Sequence, residues 1–132
     1  NGDDANILKL ASCFKGKVQK FGVKDYKIKG ESVVHLKESE NLDFEAKNVN
    51  LKGLNGTSFQ LEIENCKLKI NLSLPGIYHI YDFLAAFGIG LGLGLQPKKM
   101  IASLKNYSPA FIHPITAHGD MAKNPANAAP PS

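Results

Sequence analysis

Between residues 17 and 72 apolar and polar positions tend to alternate, the period of strands with one face buried. Residues 17–21 alternate and Gly22 follows as a turn. Residues 26–28 and 32–36 read as a hairpin around Lys29-Gly30-Glu31, and residues 44–51 as a further strand. Asn55-Gly56 is a strong hairpin signal, because both central positions of a type I′ turn need positive φ. Phe59, Leu61 and Ile63, then Leu68, Ile70 and Leu72, alternate cleanly on either side of Glu64-Asn65. The pattern predicts a small antiparallel meander that buries one face.

At Leu74-Pro75-Gly76 the period changes. Residues 78–95 are almost all apolar, with His79 and Asp82 the polar exceptions near the start, which predicts a buried helix over about 78–94. This run is too short and too glycine-rich to span a bilayer. Pro97 suits the first position of a second helix, running to about residue 106, with Met100, Ile101 and Leu104 on one face. From residue 108 the chain turns rich in Pro, Ala and Asn, the composition of a flexible tail. The fold class expected is α/β, an antiparallel β meander followed by two helices and a short irregular tail.

The 132 residues are enough for one domain with a real core. The net charge of +4 is mild, and its lysines are interleaved with acids as on a solvated surface. All of the basic excess is lysine. With no Arg, the bidentate clamp on phosphate or guanine edges is missing, and no nucleic-acid partner is expected. Cys13 and Cys66 lie far apart without CxxC spacing. A disulfide, a reactive thiol and two buried small hydrophobes are all open, and reduced, structural cysteines are the expectation. The opening Asn1-Gly2-Asp3-Asp4 has neither Met nor a signal peptide, so the chain is expected to begin inside a longer, cytoplasmic protein.

Several patterns invite a chemical reading. The glycines at 88, 90, 92 and 94 resemble a phosphate loop only in composition. Such a loop follows a strand and opens a helix, whereas these close a helical run, so close packing or a frayed helix end is expected. His113 and His118, with Asp120, have no third metal ligand in a rigid frame and read as loop residues. His79 and Asp82, three apart on the first helical turn, share a face. They either cap that helix or hold something polar at its start. No Ser, Thr or Cys sits in a nucleophile-elbow context, and the adjacent Asp3 and Asp4 would point apart in a strand.

Five segments in order resemble the central ATPase domain of the Mur ligases. Asn1-Gly2-Asp3-Asp4 is similar to that family's Asn-Ala-Asp-Asp. Residues 18–23 (VQKFGV) are similar to the strand and Phe/Tyr-Gly that follow it. Residues 74–86 (LPGIYHIYDFLAA) resemble the Gly-x-Tyr/His-Asn-x-x-Asn-x-Leu-Ala-Ala helix start. Residues 107–111 (YSPAF) match the segment that leads to Gly-Arg. Met121-Ala122-Lys123-Asn124-Pro125-Ala126 resembles the Leu-Ala-Lys-Asn-Pro-Ala-Gly of the MurT-type subunit of lipid II isoglutaminyl synthase.

The resemblance implies that residues 1–107 are the C-terminal part of a Mur-type ATP-binding domain. Residues 108–132 would be a linker and the start of a MurT-type C-terminal domain. It places Asn1, Asp3, Asp4, His79 and Asp82 around the adenine and ribose of ATP, with no catalytic residue and no metal ligand in this chain. ATP and Mg²⁺ are implied as cofactors, a glutaminase subunit as partner and a peptidoglycan precursor as substrate of the intact enzyme. The departures are specific: His79 and Asp82 stand where asparagine is usual, the Gly-Arg after Phe111 is replaced by Ile112-His113-Pro114, and the four-cysteine zinc ribbon is absent. The Gly-Lys-Thr phosphate loop, the magnesium ligands and the activating Lys would lie upstream of Asn1. Residues 1–132 alone are therefore expected to be inactive. The alternatives are a degenerate, non-catalytic Mur-like module that binds a partner such as a glutaminase, and an unrelated α/β binding domain.

Overall fold

The computed structural model describes residues 1–28, 32–35 and 41–107. The turn at 29–31, the histidines 113 and 118, Asp120, the 121–126 segment and the proposed second domain at 108–132 lie outside the described residues.

Asp4 opens α1 (Ala5–Ser12) as an N-cap, accepting from the backbone N–H groups of Asn6 and Ile7 at 2.8 and 3.2 Å. The alternation of apolar positions predicts no such helix. Among the described residues six strands follow: β1 (Phe21–Val23), β2 (Asp25–Ile28), β3 (Ser32–His35), β4 (Phe44–Leu51), β5 (Thr57–Ile63) and β6 (Cys66–Leu72). They form one sheet in the order β3-β2-β4-β5-β6, with β1 also paired to β4. β4, β5 and β6 make the expected antiparallel meander, and β2–β3 the expected hairpin. The sheet is nevertheless mixed. β1 and β2 both run parallel to β4, with Phe21 opposite Phe44 and Tyr26 opposite Val49. Residues 17–19 of the expected first strand pair with nothing in the sheet, and the strand begins only at Phe21.

The register of β4 on β5 slips by one residue between Lys47 and Asn50. Asn48 supplies the extra residue at φ 51°, and its N–H donates to Asp25 Oδ1 at 3.2 Å. This is a β-bulge, which strengthens local twist where β2 takes over from β1. Asn55-Gly56 does not form the type I′ turn. A 3₁₀ turn (Gly53–Asn55) links β4 to β5, and the positive φ values fall on Gly53 (61°) and Gly56 (92°). Five residues rather than four close this connection, with the Lys52 N–H donating to the Gly56 carbonyl at 3.0 Å.

Two helices pack on one face of the sheet: α2 (Tyr78–Gly92) and α3 (Pro97–Ser103), the latter continued by a 3₁₀ turn (Leu104–Asn106). Pro97 stands in the first turn of α3, and Met100, Ile101 and Leu104 pack against the core, as the spacing predicts. α2 buries Ile80, Leu84 and Phe87, spaced four and three apart, against Val23, Phe44, Ala46, Val49, Phe59, Leu61 and Ile70. Burial of each larger side chain contributes about 1.5–3 kcal/mol. Phe87 meets Phe44 edge-on at 5.8 Å between ring centroids, and Phe83 meets Phe59 at 5.4 Å.

The glycine run is explained by packing and capping. A Cβ on Gly88 would lie 2.9 Å from the Phe44 ring, and one on Gly90 would overlap the Met100 sulfur. Gly94, at φ 77°, ends the helix. The Leu95 N–H donates to the Gly90 carbonyl and the Gly94 N–H to the Leu91 carbonyl, a Schellman cap. Side chains, not a second backbone, fill the space beside Gly88 and Gly90, and the space beside Gly92 is open.

The other face of the sheet carries charge. Lys47 bridges Glu45 at 2.7 Å and Glu62 at 2.5 Å, and Lys67 reaches Glu62 at 3.1 Å. The hydrogen bonds that Lys47 donates to Glu45 and then to Glu62 push its ammonium up, and the bond accepted from Lys47 pulls the Glu62 carboxyl down. Exposed pairs of this kind contribute about 1 kcal/mol or less each. Cys13 and Cys66 are both free, but both are exposed, which corrects their assignment as structural cysteines.

Candidate functional site

The N-terminal segment and the start of α2, some 75 residues apart in sequence, lie together in the fold. The Gly2 N–H donates to the Phe21 carbonyl at 2.7 Å, setting residues 1–3 alongside β1. Asp3 Oδ2 then accepts from the Val23 N–H at 2.7 Å and from the Tyr81 hydroxyl at 2.8 Å, tying the segment to β1 and α2 together. Gly22 is glycine because Asp3 needs the space: a Cβ there would lie 2.5 Å from Asp3 Oδ1. The approach to α2 is fixed separately. The buried Thr57 hydroxyl donates to the Leu74 carbonyl at 3.0 Å, and Gly76 turns the chain at φ 103°.

These constraints create two hollows that share Asp82. The first is a shallow groove of about 500 Å³ walled by Asn1, Asp3, Asp4, Tyr78, Tyr81 and Asp82. The second, about 410 Å³, is mostly apolar, lined by Leu72, Leu74, Phe83, Ala86, Leu104 and Tyr107 together with the polar Asn71, Ser73, His79 and Asp82. Four of the five residues implied by the resemblance thus line the groove. His79 instead belongs to the second hollow, with its Nδ1 3.4 Å from Asp82 Oδ2. Neither His79 nor Asp82 caps α2, which starts after Ile77 with no side-chain cap. The capping alternative is therefore corrected.

The groove residues already have structural partners. Asp3 holds Val23 and Tyr81, Asp4 caps α1, and Asn1 Oδ1 accepts the Asp3 N–H at 3.0 Å. Sequence reasoning misses Tyr81, because a tyrosine in an apolar helical run reads as core. The available signal is its hydroxyl, which needs a partner when half-buried. Burial, followed by the bond to Asp3, raises the Tyr81 hydroxyl above its ordinary value of 10.0. A raised folded value means that this stabilisation is complete below pH about 10 and is lost as the pH climbs above it. Wild type should therefore lose stability above pH about 10 faster than Tyr81→Phe, as read from urea midpoints at pH 8 and pH 11. Parallel curves would exclude this role.

A larger open hollow of about 780 Å³ lies elsewhere, between Lys17, Gln19, Asp43, Glu45 and Glu64. It contains none of the residues implied by the resemblance. Its Asp43 already accepts the Lys20 N–H at 2.6 Å, and its walls alternate in charge, so it reads as a solvated crevice. Among the described residues, no group of three or more His, Cys, Asp or Glu could hold a metal ion. No helix among them is long and apolar enough to cross a membrane.

No family model matches the chain. Sequence relatives are found among curated enzymes. The chain is 28% identical over 106 residues to a UDP-N-acetylmuramoyl-L-alanyl-D-glutamate–2,6-diaminopimelate ligase of Caldanaerobacter subterraneus subsp. tengcongensis, covering 80% of this chain and 19% of that one. The enzyme of that name from Leptospira borgpetersenii serovar Hardjo-bovis is 34% identical over 99 residues, 64% of this chain and 20% of the relative. A UDP-N-acetylmuramate–L-alanine ligase of Chlorobaculum tepidum is 44% identical over 39 residues, 30% of this chain and 8% of the relative. The chain therefore spans about a fifth or less of the length of these relatives. A pseudomurein peptide ligase type C from Methanothermus fervidus superposes with a TM-score of 0.63 over 83% of this chain and 27% of its own, at 20% identity. That likeness establishes the fold: the mixed α/β sheet and its helices are similar to part of the fold of that ligase. The homologues of this chain are members of the Mur ligase family.

Proposed function

We propose that this chain is the nucleoside-binding side of an ATP-dependent amide ligase of peptidoglycan synthesis, acting in the cytoplasm. The observation that carries the reading is the convergence of Asn1–Asp4 with the start of α2, where Tyr81 meets Asp3 and Asp82 borders both hollows. The chemistry of the two hollows suits the two halves of a nucleoside. A flat purine needs apolar walls and a polar rim, which the Leu72–Phe83–Tyr107 hollow offers. Ribose hydroxyls need acceptors, which Asn1, Asp4 and Asp82 supply in the groove.

Phosphates do not fit there. No lysine lines the groove, and its carboxylates would repel a polyphosphate. The phosphate loop, Mg²⁺ and activating lysine of such a ligase must come from other residues. In the reaction assigned to the whole enzyme, a substrate carboxylate attacks the γ-phosphorus as the β–γ bond breaks. Ammonia then displaces phosphate from the acyl phosphate. The 121–126 motif supports a MurT-like assignment, with the stem-peptide glutamate as acceptor and a glutaminase subunit as ammonia source.

The absence of any Arg and the His79/Asp82 pair favour a second reading, a non-catalytic module that binds such a subunit. Calorimetry of residues 1–132 with Mg·ATP separates the two, combined with amide chemical shifts. Binding in the millimolar range with shifts at 1–4, 78–83 and 104–107 is expected. A micromolar constant would overturn the conclusion that the site is incomplete. Shifts confined elsewhere would remove the site, and no shifts at all would leave the partner-binding module.

A further inference from the structure

The sheet ends on a strand whose outer edge is open. In the order β3-β2-β4-β5-β6, β6 pairs with β5 alone among the described residues. Its seven residues, Cys66–Leu72, keep one register with β5 throughout and contain neither bulge nor proline. Ile63 and Cys66 flank the two-residue Glu64-Asn65 loop and so form a hydrogen-bonded pair, as do Leu61–Leu68, Phe59–Ile70 and Thr57–Leu72. The backbone N–H and C=O groups of Lys67, Lys69 and Asn71 therefore face away from β5, along the open edge.

The side chains of these three residues stand on the sheet face without helices. Glu62, opposite Lys67, is bonded to Lys47, Lys67 and Gln60, and its side chain is only 17% exposed against 69% for Lys67. Glu45 is likewise held low by Lys24 and Lys47. The carboxylates thus lie beneath their ammonium partners. Among the described residues no carboxylate lies within ion-pair distance of Lys69, which stands opposite Gln60. A strand laid along β6 meets two lysines and, on β6 itself, no acid.

Lysines on an edge ordinarily keep strands from pairing there. That protection is selective. A second copy added antiparallel would bring lysine opposite lysine, and like charges so placed are destabilising. Residues 108–132 hold one acid, Asp120, and five prolines, which lack the donor that a ladder needs. An acidic strand meets no such obstacle.

We propose that β6 is the docking edge for an extended segment of a protein partner that carries acidic side chains at alternate positions. Its backbone pairs with the outward groups of Lys67, Lys69 and Asn71, a mode in which main-chain bonds give affinity and alternate side chains give specificity. Its acids face Lys67 and Lys69. The residues between them fall on the face of half-buried Leu68 and Leu72, so apolar side chains suit those positions. The proposal does not rest on the nucleoside reading of the hollows.

The test follows amide shifts and hydrogen exchange in the 132-residue chain as a synthetic peptide alternating valine and glutamate is added. A peptide alternating valine and lysine is the control. The acidic peptide is expected to slow exchange of the Lys67, Lys69 and Asn71 N–H groups at least about tenfold, and the basic one to leave them unchanged. Lys69→Glu is expected to weaken the acidic peptide at least about tenfold and to gain a response to the basic one. Asn71→Pro keeps both lysines and removes one outward donor at a position where an edge strand tolerates proline, so it too should lose the peptide. Undiminished binding by Asn71→Pro, or shifts without slowed exchange, would overturn strand addition in favour of simple charge attraction. Equal response to both peptides would overturn the acidic preference. Protection of the same amides that grows with concentration of the chain alone would make a second copy the occupant. No response to either peptide would remove the edge as a docking site.

Discussion

Replacing Gly56 by alanine is expected to cost about 3–5 kcal/mol, the largest loss from any single methyl added to this fold. Gly56 sits at φ 92° and ψ −161°, a region essentially closed to residues with a Cβ. The added carbon would also overlap the Leu72 carbonyl oxygen, with the carbonyl carbon of Ser73 at 3.2 Å. Both obstacles are backbone, so no side chain can swing aside. The end of β6 must move, and it carries Leu74, whose carbonyl accepts from the Thr57 hydroxyl just before α2. Thermal unfolding should therefore drop by about 10–20 °C, and the apolar hollow should loosen along its Leu72–Leu74 wall. Gly53 is the internal control. It has φ 61° with open space where a Cβ would stand, so Gly53→Ala should cost only about 1–2 kcal/mol. Equal losses at the two positions would show that φ alone, and not the carbonyl contact, sets the cost.

The same turn shows how far local signals reach. Asn55-Gly56 correctly marks a reversal between two strands. Its type is decided by which residues adopt positive φ without strain, and two glycines three apart outcompete the asparagine. Period-2 alternation locates β4, β5 and β6 because each presents one face to α2. It cannot tell that β1 and β2 run parallel to β4, since alternation is identical in parallel and antiparallel pairs. The pairing direction is a tertiary fact. α2 and α3 are legible because Pro75-Gly76 and Pro97 punctuate them. α1 is harder to read, because it is only eight residues long and none of them is buried; Asp4, as a cap, is the signal that points to it.

The site follows the same division. Spacing puts Asp82 and His79 on one helical face, and the structure places them within 3.4 Å. The resemblance groups Asn1, Asp3 and Asp4 with them, and these three meet Asp82 across one groove. What no local pattern contains is the division of roles inside that group. Asp3 and Asp4 commit oxygen atoms to the fold, and Tyr81, the residue that joins the two segments, lies 78 positions from its partner.

That joint gives the second large effect. Asp3→Ala removes the acceptor for both the Val23 N–H and the Tyr81 hydroxyl, which are part-buried at 2.7 and 2.8 Å. Bonds to a charged acceptor contribute about 1.5–3 kcal/mol each when buried, but both donors here are only part-buried and water can replace part of each bond, so about 2–4 kcal/mol is expected for the pair. Tyr81→Phe removes one bond and leaves a carboxylate still held by Val23, for about 1–2 kcal/mol. The double variant should lose less than the sum, with a coupling of about 1–2 kcal/mol from urea unfolding. Additive losses would mean that the short Tyr81–Asp3 contact contributes nothing beyond packing.

The joint also separates the two hollows by experiment. The groove depends on Asp3, because its walls come from two segments that this carboxylate and the Gly2 backbone bond hold together. The apolar hollow depends on Thr57, Leu74 and the body of α2, away from Asp3. In Asp3→Ala, nucleotide-induced shifts at residues 1–4 should therefore vanish while those at 79–86 and 104–107 persist with weaker binding. A base pocket that survives the loss of its ribose side would establish that α2 presents the purine site independently. Collapse of both together would instead make Asp3 the keystone of a single undivided cleft.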